Sequence, residues 1–436
     1  MARRQRVDFV GPPFAGHLNP LLQLASGLSQ RSAAGIRVLS TASARPSVAT
    51  ISGATFFELL KGREDVVWSI ANPGRKVGSN PLRLIRQLKL NLQLMVQLRQ
   101  ELESLWRVDP PDLVMADFTV PLAGLTAHAL GIQWWTGMAT PCVLESHSGT
   151  PAYLGGWMPA RTAIGRFRDL CGWRFIRMFK QLTRMVFRNQ FRQLGINSLY
   201  RADGSETIYS PTRILGYGMS EFEFHRHWPE HFEFIGPLTG APVTCHAPPR
   251  FEEGKRHVLV SLGTHVEWAK RRAAELIQNV APLVDCVFHF SLGKPNVNAP
   301  DSSAVAMPNE EYHSSAQQGN IHFYDFIPYT KYLDRYELAI THGGTGILYS
   351  CIQNGVPMLV WPQDFDHFDH AARIVHAGLG VRLQTNVRGL SAQINRLLLD
   401  NRFRENTAVF QQLALRYDAP QRFCDLVEAT PLHQNN

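Results

Sequence analysis

The chain has 436 residues, enough for two to three domains of average size. Its 44 Lys and Arg outnumber 36 Asp and Glu, for a net charge of +8 and a pI near 9.3. A 44% hydrophobic and 18% charged composition excludes long disordered stretches. The six cysteines are scattered, with no C-x-x-C pair, which excludes a disulfide framework and a zinc ribbon and fits a reducing compartment. No apolar run reaches the ~18 residues of a membrane span. The opening MARRQ resembles the start of a signal peptide, but VDFVGPP is too short and carries Asp8 and two prolines, so no apolar core of such a peptide follows. A cytoplasmic protein is expected, with peripheral contact at the inner face of the membrane as the alternative.

In chain order, Arg6–Val10 reads as a first strand and GPPFAGHLNP as a turn-rich loop. Leu21, Leu22, Leu24 and Leu28 mark a helix, and Ile36–Ser40 a second strand. Strand, loop, helix, strand implies a parallel sheet built from βαβ units. From Pro81 to Trp106, Ile85, Leu88, Leu92, Met95, Leu98, Leu102 and Leu105 recur at three- and four-residue steps, the period of an amphipathic helix. Leu113–Ala116 is a buried strand ending in Asp117. EFIGPL is strand-like, and the Pro- and Gly-rich passage Gly236–Gly254 reads as a linker. Beyond it HVLVSLGT, CVFHFSLG, NIHFYDFI, LAITHGGTG and PMLVWPQ continue the alternation. Two α/β domains follow: residues 1–235, then the linker 236–254, then 255–415. A C-terminal helix in 416–436 is expected to pack back on the first domain. Ligands of open parallel sheets sit beyond the carboxyl ends of the strands. The loops there carry His17, Asp117, Thr264, His342 and Asp366.

The most informative stretch is LAITHGGTGILYSCIQNGVPMLVWPQDFDHFDHAA, Leu338–Ala372. A strand ends at His342, and Gly343, Gly344, Thr345 and Gly346 turn into a helix from Ile347 to Gln353. Glycines there let backbone N–H groups approach a ligand, and the helix N-terminus adds about half a positive charge. This suits a diphosphate. It is neither a Walker loop nor a G-x-G-x-x-G fingerprint; the structural alternative is a plain strand-to-helix turn. DFDHFDH contains a D-x-D pair, Asp364 and Asp366, yet it lies inside the same motif, so no metal is expected. In GHLNP, His17 is a candidate general base, because a neutral imidazole titrates near 6.5. Asp117 is a candidate to hold its other nitrogen. The structural alternatives are a capping histidine and a capping aspartate.

The chain resembles the UDP-glycosyltransferase superfamily, nucleotide-sugar-dependent inverting enzymes of the GT-B fold. The likeness covers nearly the whole chain and is most specific over Phe326–Arg373. It implies two facing Rossmann-like α/β domains with parallel sheets and an interdomain cleft. It implies a His17–Asp117 dyad, His342 and the following backbone on the diphosphate, Phe326 of Phe326-Ile327-Pro328 on the base, and Asp366 on sugar hydroxyls. Two positions depart from the family pattern. Ile347 replaces a common Ser or Thr, leaving Thr264 as the candidate phosphate ligand. His367 replaces a common Gln, as in some galactose-using members. Ile327 is grouped with the donor residues, and Phe14 and Trp135 with the acceptor.

Residues 161–192 hold nine Arg or Lys against one acid, Asp169. Arg177, Lys180, Arg184, Arg188 and Arg192 step along one helical face, with Phe175, Phe179, Leu182, Met185, Val186 and Leu194 opposite. Such a helix could lie on an anionic bilayer, receive a lipid-like acceptor, or pack as a solvated helix. No nucleic-acid motif accompanies the charge.

The expected activity is inverting O-transfer of a hexose, from a UDP-sugar, to a hydroxyl on a hydrophobic small molecule. The nucleotide sugar is a co-substrate, and no cofactor is expected. The alternatives are a membrane-surface glycolipid glycosyltransferase, a non-catalytic nucleotide-sugar-binding protein and a two-domain epimerase.

Overall fold

The computed structural model describes residues 4–71, 81–240, 248–264, 267–294 and 317–430. Two seven-stranded sheets organise them. The first contains β1 (Arg6–Val10), β2 (Gly35–Ser40), β3 (Ala54–Glu58), β4 (Leu113–Asp117), β5 (Gln133–Met138), β6 (Ile214–Gly216) and β7 (Phe232–Phe234). Their spatial order is β3-β2-β1-β4-β5-β6-β7, with every pair parallel. The second contains β8 (His257–Ser261), β9 (Val287–Ser291), β10 (Gln317–Gln318), β11 (Ile321–Tyr324), β12 (Leu338–Thr341), β13 (Met358–Val360) and β14 (Gly380–Arg382). Its order is β10-β11-β9-β8-β12-β13-β14, and only the β10–β11 pair is antiparallel. The chain order therefore reverses beside β1 in one sheet and beside β8 in the other. Such switch points open the crevice where α/β sheets bind ligands.

Parallel sheets are covered on both faces, so their central strands are buried throughout. All five residues of β4 and of β8 are buried. One face of the first sheet packs against the helix Ala15–Arg31, through Leu21, Leu24 and Leu28. The other packs against the helix Pro81–Val108, through Leu92, Leu98, Leu102 and Trp106. Asp8, in the middle of β1, is fully buried. It faces Arg37 across the β1–β2 register, and the guanidinium donates two hydrogen bonds of 2.7 Å to it. Trp106 adds a third, 2.8 Å from Nε1.

The helix Ala419–Glu428 packs against the helix Ala15–Arg31 rather than against the second sheet. Its Phe423 ring lies 5.7 Å from Phe9 and 6.0 Å from Trp135. Part of the expected linker, 241–247, and the last six residues, 431–436, lie outside the described residues, as does Cys245. The basic segment is two helices, Ala163–Val186 and Arg188–Gln193. Its polarity differs from the sequence expectation. Lys180 turns inward and donates 2.5 Å bonds to Glu145 and Glu206, Arg177 donates to Glu145, and the apolar side faces solvent. Buried carboxylates on neighbouring loops draw the cations in, which periodicity along the helix could not show.

Candidate active site

A cavity of about 1090 Å³ lies between the two sheets. Val10 and Ser40 at the ends of β1 and β2 line it from one side, and Ser261 and Ser291 at the ends of β8 and β9 from the other. The carboxyl ends of both sheets therefore share one space. Phe14, His17, Thr264, Phe326, His342, Gly344, Thr345, Gly346, Ile347, Asp366 and His367 all line it.

After β1, Gly11–Phe14 leads directly into the helix Ala15–Arg31. His17 sits in the first turn of that helix, not in a loop as the turn-rich GHLNP suggested, and Pro20 is accommodated inside it. Asp117 is the last residue of β4, next to β1, and is fully buried. The His17 Nδ1 atom lies 3.1 and 3.2 Å from the two oxygens of Asp117. Thr119 steadies Asp117 Oδ1 through its backbone N–H, at 2.9 Å, and through its hydroxyl. With Nδ1–H given to the carboxylate, Nε2 keeps its lone pair for the cavity. Burial works against a charged imidazole here. The charge and hydrogen bond of Asp117, with Asp366 farther away, outweigh it and raise the His17 pKa above 6.5.

Across the cavity, β12 ends beside His342, and the helix Thr345–Gln353 starts after the N-cap Gly344. The N-cap Gly344 has no side chain to cap that helix, and Thr345, Gly346 and Ile347, which open it, line the cavity. The glycines fit the ring of His342. A Cβ on Gly344 would sit 2.4 Å from its Nε2. One on Gly263, where φ is +77°, would sit 2.8 Å from its Cε1. Gly343 stands behind the turn and does not line the cavity; its carbonyl accepts a 2.7 Å bond from His370 Nδ1.

Asp366 caps the helix His367–His376 by position, and His370 Nε2 lies 3.9 Å from its carboxylate. Burial would raise the Asp366 pKa, but His370, His367 and the Thr140 hydroxyl outweigh it and hold the group below its ordinary range. Burial pushes His367 down to about 4, so its ring is neutral. Its Nδ1 accepts the Asp364 N–H at 3.3 Å. Nε2 is then the protonated nitrogen, a donor rather than a base.

Two assignments need correction. Trp135 is a core residue. Its ring packs against Phe423 and under Arg213, because alternate residues of a strand point to opposite faces. Ile327 is also buried. Its N–H donates to Ser291 Oγ and its carbonyl accepts from Tyr329, so neither its backbone nor its side chain faces the cavity.

Three contacts were not anticipated. The Thr140 hydroxyl donates to Asp366 Oδ2 at 2.6 Å, the Tyr153 N–H donates to Asp369 at 2.8 Å, and Arg373 pairs with Glu223 at 2.7 Å in a fully buried bridge. All three tie the first sheet's loops to the helix His367–His376. Thr140 follows β5, so the rule that placed the other site residues beyond strand ends would have found it. The other two join residues more than a hundred positions apart and left no local signal.

Residues 299–429 match the family described as Erythromycin biosynthesis protein CIII-like, C-terminal domain. The chain is 24% identical over 335 residues to 4'-demethylrebeccamycin synthase of Lentzea aerocolonigenes, covering 73% of this chain and 74% of that one. It is 24% identical over 428 residues to zeaxanthin glucosyltransferase of Pseudescherichia vulneris, covering 96% of each. The solved glycotransferase of kitacinnamycin superposes with a TM-score of 0.72 at 20% identity, over 99% of this chain and 100% of its own. The two facing parallel sheets, the glycine turn on the second and these likenesses lead to one assignment: the chain is a glycosyltransferase of GT-B fold, similar to the UDP-glycosyltransferase superfamily.

Proposed function

We propose that the protein transfers a hexose from a UDP-sugar to a hydroxyl of a hydrophobic small molecule, with inversion at the anomeric carbon. One observation carries this reading: the Nε2 side of a carboxylate-held imidazole shares a cavity with a helix N-terminus whose N-cap is a glycine. His17 Nε2 takes the proton of the acceptor hydroxyl as its oxygen attacks the anomeric carbon. The bond from that carbon to the diphosphate oxygen breaks, and its electron pair leaves with the diphosphate. Asp117 stabilises the imidazolium that forms. His342, the amides opening the helix Thr345–Gln353 and that helix's dipole meet the departing charge. Phe326 offers a ring for the base. Asp366 and the neutral His367 offer an acceptor and a donor for sugar hydroxyls.

The acceptor side is apolar. Leu88, Leu94, Met95 and Leu98 of the helix Pro81–Val108 line it, together with Phe187 and Phe191. A bulky hydrophobic acceptor matches that lining.

The test pairs His17→Ala turnover with calorimetric binding of UDP and, in parallel, TDP. Loss of the base lowers turnover by on the order of 10²–10⁴-fold and leaves nucleotide affinity unchanged. Wild-type turnover in the variant removes His17 from the reaction, and tighter binding of TDP than UDP reassigns the donor.

A further inference from the structure

The helix Ala163–Val186 is oriented against the usual rule for a surface helix, in which apolar residues face the core. Its polar side holds it to the protein. Asp169 and Trp173 are buried, Asp169 accepts from the Thr150 hydroxyl at 3.0 Å, and Trp173 Nε1 donates to the Gly149 carbonyl at 2.9 Å. Lys180 bridges Glu145 and Glu206. Ile164, Phe167, Phe175, Met178, Leu182 and Met185 are each more than half exposed. Their spacings of three, four and eight residues put them on one stripe along the helix. Large apolar side chains gathered in one exposed stripe mark an interaction surface.

Charge decides what covers it. Arg166, Arg174 and Arg188 are exposed and form no ion pair among the described residues. Asp169, the one acid of this helix, is buried and held by Arg168 and Thr150. A second copy of the chain would bring the same unbalanced arginines against the stripe. An anionic lipid surface brings the opposite charge and an apolar interior. Among the described residues no helix is long and apolar enough to cross a membrane, so the contact lies in the plane of the surface.

We propose that the apolar stripe of the helix Ala163–Val186, with the exposed arginines on that helix and at the start of the next, docks the protein on anionic phospholipid bilayers. Phe179, Leu182 and Val186 are half or more exposed and also line the cavity, so the docked face carries the cavity rim. On the reading above, an acceptor dissolved in the bilayer then reaches His17 without crossing water; that consequence rests on the proposed transfer, whereas docking does not.

The test is sedimentation of the full chain, without substrates, with vesicles of phosphatidylcholine and phosphatidylglycerol or of phosphatidylcholine alone. The wild-type chain sediments with the phosphatidylglycerol vesicles. The triple variant Phe167→Gln, Met178→Gln, Met185→Gln partitions on the order of 10-fold less or weaker. A second triple variant, Arg166→Glu, Arg174→Glu, Arg188→Glu, loses the preference for phosphatidylglycerol. Thermal melts establish that both variants fold, and since the altered side chains are exposed they melt with the wild-type chain. No sedimentation of the wild-type chain, or equal sedimentation with both lipids, overturns the proposal. So does a wild-type dimer by light scattering that the first variant converts to a monomer, which would assign the stripe to a second copy.

Discussion

Replacing Asp117 with Asn tests the dyad more sharply than deleting the base, because it leaves the imidazole in place. The carboxylate lies 3.1 Å from His17 Nδ1 and holds the His17 pKa above 6.5 against burial. For charges some 4 Å apart at an effective dielectric near 20, that attraction amounts to about 4 kcal/mol, part of which offsets the desolvation of the ring. The wild-type kcat/KM therefore rises with pH through a midpoint above 6.5, as the imidazole loses its proton and becomes a base. In Asp117→Asn the attraction is gone and burial remains, so the midpoint moves below 6.5. The plateau falls as well, by on the order of 10²-fold or more, since the imidazolium formed in the reaction has lost its counter-charge. Stability follows the same linkage. A raised histidine pKa stabilises the fold fully below pH 6.5, and this contribution disappears as pH rises through the folded-state value. The assay is a pH profile of initial rates at low acceptor concentration, with urea melts at the two ends of the range. An unmoved midpoint together with an unmoved plateau would refute the dyad, because no other group holds that nitrogen.

Two further outcomes follow from the geometry. Gly344→Ala places a methyl carbon 2.4 Å from His342 Nε2, forcing the ring to move; losing one charge-assisted hydrogen bond weakens nucleotide binding roughly 10- to 100-fold by calorimetry, with little change in melting temperature. Arg37→Ala removes both 2.7 Å bonds and the counter-charge from the buried Asp8, leaving it the Trp106 bond alone, and should cost about 3–5 kcal/mol in urea denaturation at neutral pH, while nucleotide affinity stays near wild type.

The architecture was legible because short buried strands and longer periodic helices alternate, and that alternation admits few folds. The site was legible where chemistry sits next to a strand end: His17 after β1, Asp117 closing β4, His342 after β12. It was misread where a residue's neighbours come from elsewhere. Trp135 looked available as an aromatic, yet the helix Ala419–Glu428, from the far end of the chain, covers it. Ile327 follows the aromatic residue that lines the cavity, but the backbone there turns its side chain inward.

Local pattern thus determined most of the segments that become strands and helices, and where a glycine turn opens a helix at a strand end, because hydrogen-bonding periodicity and glycine geometry act over a few residues. Long-range packing alone decided the rest. It set the Thr140 hydroxyl on Asp366, buried the Glu223–Arg373 pair, and drew Lys180 inward between two carboxylates so that an apolar stripe was left facing out. Those choices depend on charges and volumes contributed by chain segments far apart in sequence, and they exist only once both sheets are folded and in contact.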